Sequence, residues 1–181
     1  MSATLRRFAT PAMRPVADPF ASRRVTVGDD LTLVFENRET LRFRLQELAR
    51  VARLTSAASV RPERDWYERL LPTAGRLLAA VWLGGAGRRA TPGRRQAVAA
   101  GAIAFRDAAG YVIAGHFHDD RVRDRVIGLA GWVEFAFMPS DAAAFATPGR
   151  GWHLVVAAGG VSATSGLLGD AVWRSLAADI R

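Results

Sequence analysis

Cysteine and lysine, two side chains on which much covalent and metal chemistry depends, are both missing from this 181-residue chain. Without cysteine there are no disulfides, no thiolate nucleophile, and no zinc-finger or iron–sulfur ligation. Without lysine there is no Schiff base, no P-loop lysine and no lysine-anchored pyridoxal phosphate. Histidine is scarce, with three residues, and asparagine occurs once, at Asn37. Half the residues are hydrophobic, yet no apolar run approaches the ~18 residues expected of a membrane span. The opening stretch MSATLRRFATPAMRPVADPF has no continuous apolar h-region of a secretory signal. Residues 1–20 read as a partly ordered basic arm and residues 21–181 as one domain. The expected location is the cytoplasm, with no membrane partner.

What the chain does have is arginine. All 25 basic residues are arginine, against 17 acidic ones, for a net charge of +8. That balance favours acidic partners or anionic ligands. The arginine pairs at 6–7, 23–24, 88–89 and 94–95 are scattered, and no zinc finger or RNA-recognition aromatic motif accompanies them. Together with the alanine richness, this fits the codon bias of a GC-rich genome, so nucleic acid is not the expected partner.

Along the chain, Val25, Val27, Leu31, Leu33 and Phe35 alternate as strands do, with a turn at Gly28-Asp29-Asp30. Leu41, Leu45, Leu48 and Ala52 follow at helical spacing. The pattern predicts strands at 24–28 and 31–36, helices at 39–54 and 62–71, and a strand from Arg76 to Gly84. Thr91 and Pro92 then suit the start of a helix running to about 104. Strands are predicted at 111–118, 132–138 and 152–158, with a short helix from Ser140 and a last one over 167–180. This order favours an α+β fold, a mixed and mostly antiparallel sheet with packed helices in a single domain.

The block RRVTVGDDLTLVFENRETLRFRLQELARVAR, from Arg23 to Arg53, resembles the bacterial family known as domain of unknown function 3501, whose members look like VxxGpxLTLxFENRxTxxYQxQEMLRxER. Asp65 to Pro72 is similar to the family's YNxLxP helix end, and roughly residues 20 to 180 can be laid onto it. Arg44 and Leu48 stand where the family usually has glutamine and methionine, and Gly84 where it usually has glutamate. The resemblance implies an accessory protein, since such proteins are commonly encoded beside rubrerythrin-like and iron–sulfur proteins.

Candidate chemistry is sparse. Glu36 ends an otherwise apolar strand and must find a partner, while Asn37 or Thr40 can cap the helix that follows. Glu47 lies three residues from both Arg44 and Arg50, within reach on a helix surface. One reading is a surface ion-pair ladder. The other is a cleft with Glu36 and Glu47 as catalytic acid/base and Arg38, Arg44 and Tyr67 contacting an anionic substrate. If Arg44 is exposed, Arg44→Gln should leave the melting temperature nearly unchanged. Two glycine-rich loops, Gly84 to Arg95 with Arg88 and Arg89 and Ala158 to Gly166 with its hydroxyls, add anion-binding candidates, and each also reads as a plain loop. His116, His118 and Asp120 are the weaker metal alternative, lacking an evident closing ligand; no metal or organic cofactor is expected.

No complete catalytic constellation emerges. The expected function is a subunit of a heteromeric bacterial enzyme, biosynthetic or redox-associated, acting on a small anionic metabolite with a co-encoded partner, or failing that a homodimer. The alternative is a basic binding module for nucleic acid or another acidic partner.

Overall fold

Apolar side chains at every second position make Arg24–Val27 (β1) and Leu31–Glu36 (β2) strands with one face in the core. They pair antiparallel around Gly28, whose φ of +58° is the left-handed conformation that glycine adopts without strain. Helices α1 (Arg38–Val51) and α2 (Ala57–Glu68) follow. Then come β3 (Arg76–Leu83), β4 (Ala102–Arg106), β5 (Val112–Phe117) and β6 (Leu129–Ala136). The chain continues as α3 (Pro139–Ala146), β7 (His153–Ala158), β8 (Val161–Thr164) and α4 (Asp170–Asp179). This computed structural model describes residues 18–29, 31–84, 102–118, 129–158 and 161–181.

The strands form one sheet in the order β1-β2-β3-β6-β5-β4-β7-β8. The expected α+β single domain is what forms, but the sheet is not mixed: every described pairing is antiparallel. It curls until its edges nearly meet. β1 touches β7, and a Cβ on Gly28 would lie 3.2 Å from the Cβ of Ala163 on β8. The concave face closes over Phe35, Phe105 and Phe135, with Phe105 and Phe135 ring centroids 4.6 Å apart. Each such ring contributes about 1.5–3 kcal/mol by leaving water. Phe145 of α3 and Leu176 of α4 complete this core.

Alternate residues of the same strands point the other way. Leu78, Ala80 and Trp132 form a second cluster on the convex face, covered by Leu41 of α1 and by Tyr67 and Leu70 at the end of α2. The sheet thus has helices on both faces, and α1 and α2 roof the convex one.

Several boundaries differ from the sequence expectation. α1 stops at Val51 rather than 54. α2 starts at Ala57 rather than 62, because Ser56 caps it, accepting from the Ser59 amide at 3.1 Å; Pro62 therefore lies inside the helix. The helix expected from Thr91 to about 104 falls mostly outside the described residues, and its last part, from 102 to 104, lies in strand β4, held between β5 and β7. The glycine-rich stretch from Ala158 to Gly166 contains strand β8 where only a loop was expected. The last helix begins at Asp170 rather than at 167.

Candidate functional site

The matched block folds into one hydrogen-bonded unit where β2 meets α1. Asn37 caps α1, its Oδ1 accepting from the Thr40 amide at 2.9 Å, while its own amide donates to Thr40 Oγ1 at 2.8 Å. The Thr40 hydroxyl donates to Glu36 Oε2 at 2.6 Å. The other oxygen of Glu36 accepts from Arg44 Nε at 2.8 Å and forms an ion pair with Arg44 Nη2 at 2.6 Å. Glu36 is fully buried, and the Arg44 side chain is 13% exposed. The sequence expectation that Arg44→Gln would leave stability unchanged assumed an exposed pair, and burial overturns it.

Arg44 is ringed by aromatics. Its guanidinium carbon lies 5.3 Å from the Phe20 ring centroid, 5.2 Å from Trp82 and 6.0 Å from Trp132. These are cation–π distances. Among the described residues, the indole N–H groups of Trp82, Trp132 and Trp152 and Nε2 of His118 are buried with no hydrogen-bond partner, Trp152 lying by Arg150 rather than Arg44. The strand register explains why the other three are neighbours. Ala80 faces Trp132, and the His118 amide donates to the Trp132 carbonyl at 3.0 Å. Glu134 faces Leu78 on one side and His116 on the other. Its carboxylate pairs with Arg76 and lies 3.6 Å from His118 Nε2.

The remaining candidates from the sequence are dispersed. Glu47 pairs with Arg50 at 2.7 Å rather than with Arg44, and both are well exposed. Its hydrogen bond from Arg50 holds the Glu47 carboxyl below its ordinary value, which suits a surface ion pair and makes it a poor proton donor near neutral pH. Arg38 is exposed at the start of α1. Tyr67 is buried in the convex cluster, edge-on to Trp66. Arg88, Arg89 and Asp120 lie outside the described residues. Among the described residues, no group of three histidine or acidic side chains is set to hold a metal ion. The sequence reading missed Trp82, Trp132 and Glu134 as site residues, because strand register alone brings them to Arg44 and His118.

A second arginine–carboxylate unit sits at the far end of the sheet. Asp107, almost fully buried, accepts from Arg150 Nε at 2.7 Å and from the Tyr111 amide at 2.8 Å. Burial pushes the Asp107 carboxyl up, but these two donors outweigh it and hold it below the usual carboxylate range. Arg150 lies over Tyr111 and Trp152, and the Tyr111 hydroxyl donates to Asp141 at 2.5 Å. That bond, more than burial, raises the Tyr111 phenol above its ordinary value. Elsewhere, an open depression of about 540 Å³ at the α1–α2 turn is lined by Leu54, Ser56, Arg61 and Arg64 and takes in none of the candidates above.

Comparison with known proteins gives a family and a fold. Residues 12–180 match a family described as Protein of unknown function (DUF3501). No curated protein matches the chain. A crystal structure described as a novel protein of unknown function from Burkholderia pseudomallei K96243 is similar with a TM-score of 0.66, at 20% identity, over 90% of this chain and 86% of that one. At that identity the likeness shows the fold alone.

Proposed function

The chain belongs to the DUF3501 family, and from that premise we propose that it is a subunit of a heteromeric bacterial enzyme acting on a small anionic metabolite. In this reading it supplies part of the cleft while a partner subunit carries the chemistry. One observation supports it above the rest: both fully buried carboxylates among the described residues, Glu36 and Asp107, are spent on arginine. A general acid or base needs a free lone pair or proton within reach of substrate. A carboxylate whose oxygens are taken up by a guanidinium has little of either. The chain is therefore furnished for binding more than for proton transfer.

The exposed apolar side chains supply the partner's footing. Tyr111, Met138 and Leu167 are exposed around the Arg150 unit. Asp141 joins the first two, accepting from the Tyr111 hydroxyl and from the Met138 amide. Leu167 lies beside Gly151, next to Arg150 in the chain. Tyrosine, methionine and arginine are the residues that interface cores favour.

The test is co-expression with the products of the flanking genes, followed by size-exclusion chromatography with light scattering. A stoichiometric complex is expected, and Met138→Asp with Leu167→Asp should dissolve it without lowering the melting temperature. A strict monomer in the presence of every neighbour's product would contradict the reading. The net charge of +8 favours the runner-up, a basic binding module, which a nucleic-acid affinity falling steeply with salt would support.

A further inference from the structure

The depression of about 540 Å³ at the α1–α2 turn has room of the order of a ligand cleft. Leu54 and Val60, both half-buried, give it an aliphatic lining together with Ala57 and Ala58, and Arg61 and Arg64 stand exposed beside them. Among the described residues, no acidic or aromatic side chain lines it. From Leu48 to Pro62 the chain carries Arg50, Arg53 and Arg61 and no acidic residue. Glu47 occupies Arg50, but Arg61 and Arg64 come no closer than 3.8 Å to Asp65 and 3.9 Å to Glu68. Those separations are too long for hydrogen bonds, so the guanidinium donors are free to meet another acceptor. The start of α2 is not what is on offer, because Ser56 already accepts from the Ser59 amide at 3.1 Å.

We propose that this depression docks an acidic segment of a partner protein, one that seats an aliphatic side chain by Leu54 and Val60 and sets carboxylates against Arg61 and Arg64. Charge complementarity selects the occupant: the guanidinium fork takes a carboxylate by two parallel hydrogen bonds, and the lining supplies no acid to repel it. The aliphatic lining selects it further. Val51, 70% exposed and three residues before Leu54, extends that apolar ground, and only a chain with apolar side chains would cover it. A nucleic acid would satisfy the arginines through its phosphates, but no ring lines the depression to stack a base. Exposed arginines also steer an acidic partner before contact, which speeds association at low salt. This adds a contact separate from the Arg150 rim, and it does not depend on the partner carrying out any chemistry.

The probe is a short synthetic peptide of glutamates interrupted by leucines, titrated into the full chain and followed by nitrogen–proton correlation spectra. Two controls accompany it, the same peptide with serine for leucine and a single-stranded oligonucleotide. The backbone cross-peaks of Leu54, Ala57, Ala58 and Val60 should move and saturate with the leucine peptide, and both controls should bind several-fold more weakly. Arg61→Gln combined with Arg64→Gln removes two exposed charges, so the melting temperature should hold while peptide affinity falls about tenfold. Unmoved cross-peaks at the depression, equal affinity for the serine peptide, or unchanged affinity in the double variant each overturn the site. An oligonucleotide bound as tightly as the leucine peptide overturns it too, in favour of the basic binding module. Peptide binding by a chain that never assembles with a flanking-gene product would remove the heteromeric reading and leave this site standing. A stoichiometric complex from a chain that ignores the peptide would do the reverse.

Discussion

Glu36 shows what a single residue settles here. An ionised carboxylate at the end of an apolar strand is tolerable only if its lone pairs are filled, and Thr40 and Arg44 fill them. The carboxylate and its need for a partner were legible in the sequence; the identity and burial of that partner were not. Removing one member leaves an unpaired buried charge. Arg44→Gln or Glu36→Gln should therefore lower stability by about 3–5 kcal/mol, whereas exchanging both for apolar residues of similar volume should recover much of the loss. Denaturant unfolding of the two single variants and the double variant checks this; single-variant effects below the ~1 kcal/mol scale of a surface pair would show that the pair is not buried in solution. Asp107 makes the corresponding prediction in pH. Its carboxyl titrates lower in the folded chain than in the unfolded one. The stability it contributes is therefore full above the ordinary carboxylate range, near pH ~4, and is lost as pH falls through the folded value. Unfolding midpoints measured down the acid limb should fall less steeply in Asp107→Asn than in the unmodified chain.

At the scale of elements, legibility followed periodicity. β1, β2, α1 and β3 declare themselves because their apolar positions repeat every second residue, at helical spacing, or in a short unbroken run. β4 did not, since Ala102–Arg106 is a short apolar run that periodicity cannot tell from the end of a helix. β8 did not either, because Val161–Thr164 follows two glycines and carries serine and threonine, the signature of a loop. Its strand state comes from pairing with β7, a tertiary fact. Close approach of elements also explains a glycine that the pattern leaves unremarked. A Cβ at Gly115 of β5 would lie 2.8 Å from the side chains of both Val133 and Phe135 on β6. Gly115→Ala must shift that core, and overpacking of this kind costs about 1–3 kcal/mol. A thermal midpoint equal to that of the unmodified chain would mean the two strands part more easily than the geometry implies.

At the scale of the whole molecule, scaffold and surface are distinct. The curled sheet, the two aromatic-ringed arginine–carboxylate units and the bridge from Arg23 to Asp179 of α4 bind distant parts of the chain into one body. The block that carries the family resemblance is, in this light, largely joinery: Asn37 and Thr40 cap α1, and Glu36 ties it to the sheet through Arg44. The tryptophans around Arg44 are interior packing beneath α1 and α2, and what is left to act outward is the exposed apolar rim around Arg150 and the depression at the α1–α2 turn. The sequence could supply the ingredients of the two aromatic clusters but not their assembly, because Trp82, Trp132 and His118 meet only through strand register, and Tyr111, Met138 and Arg150 only through turns and a shared aspartate. The central claim is that this body works as one part of a larger enzyme. Native mass spectrometry of the chain co-expressed with its flanking genes tests it most directly. The account predicts a single species whose mass is the 19.6 kDa chain plus a fixed number of copies of a flanking-gene product; a lone 19.6 kDa ion in every combination would contradict it.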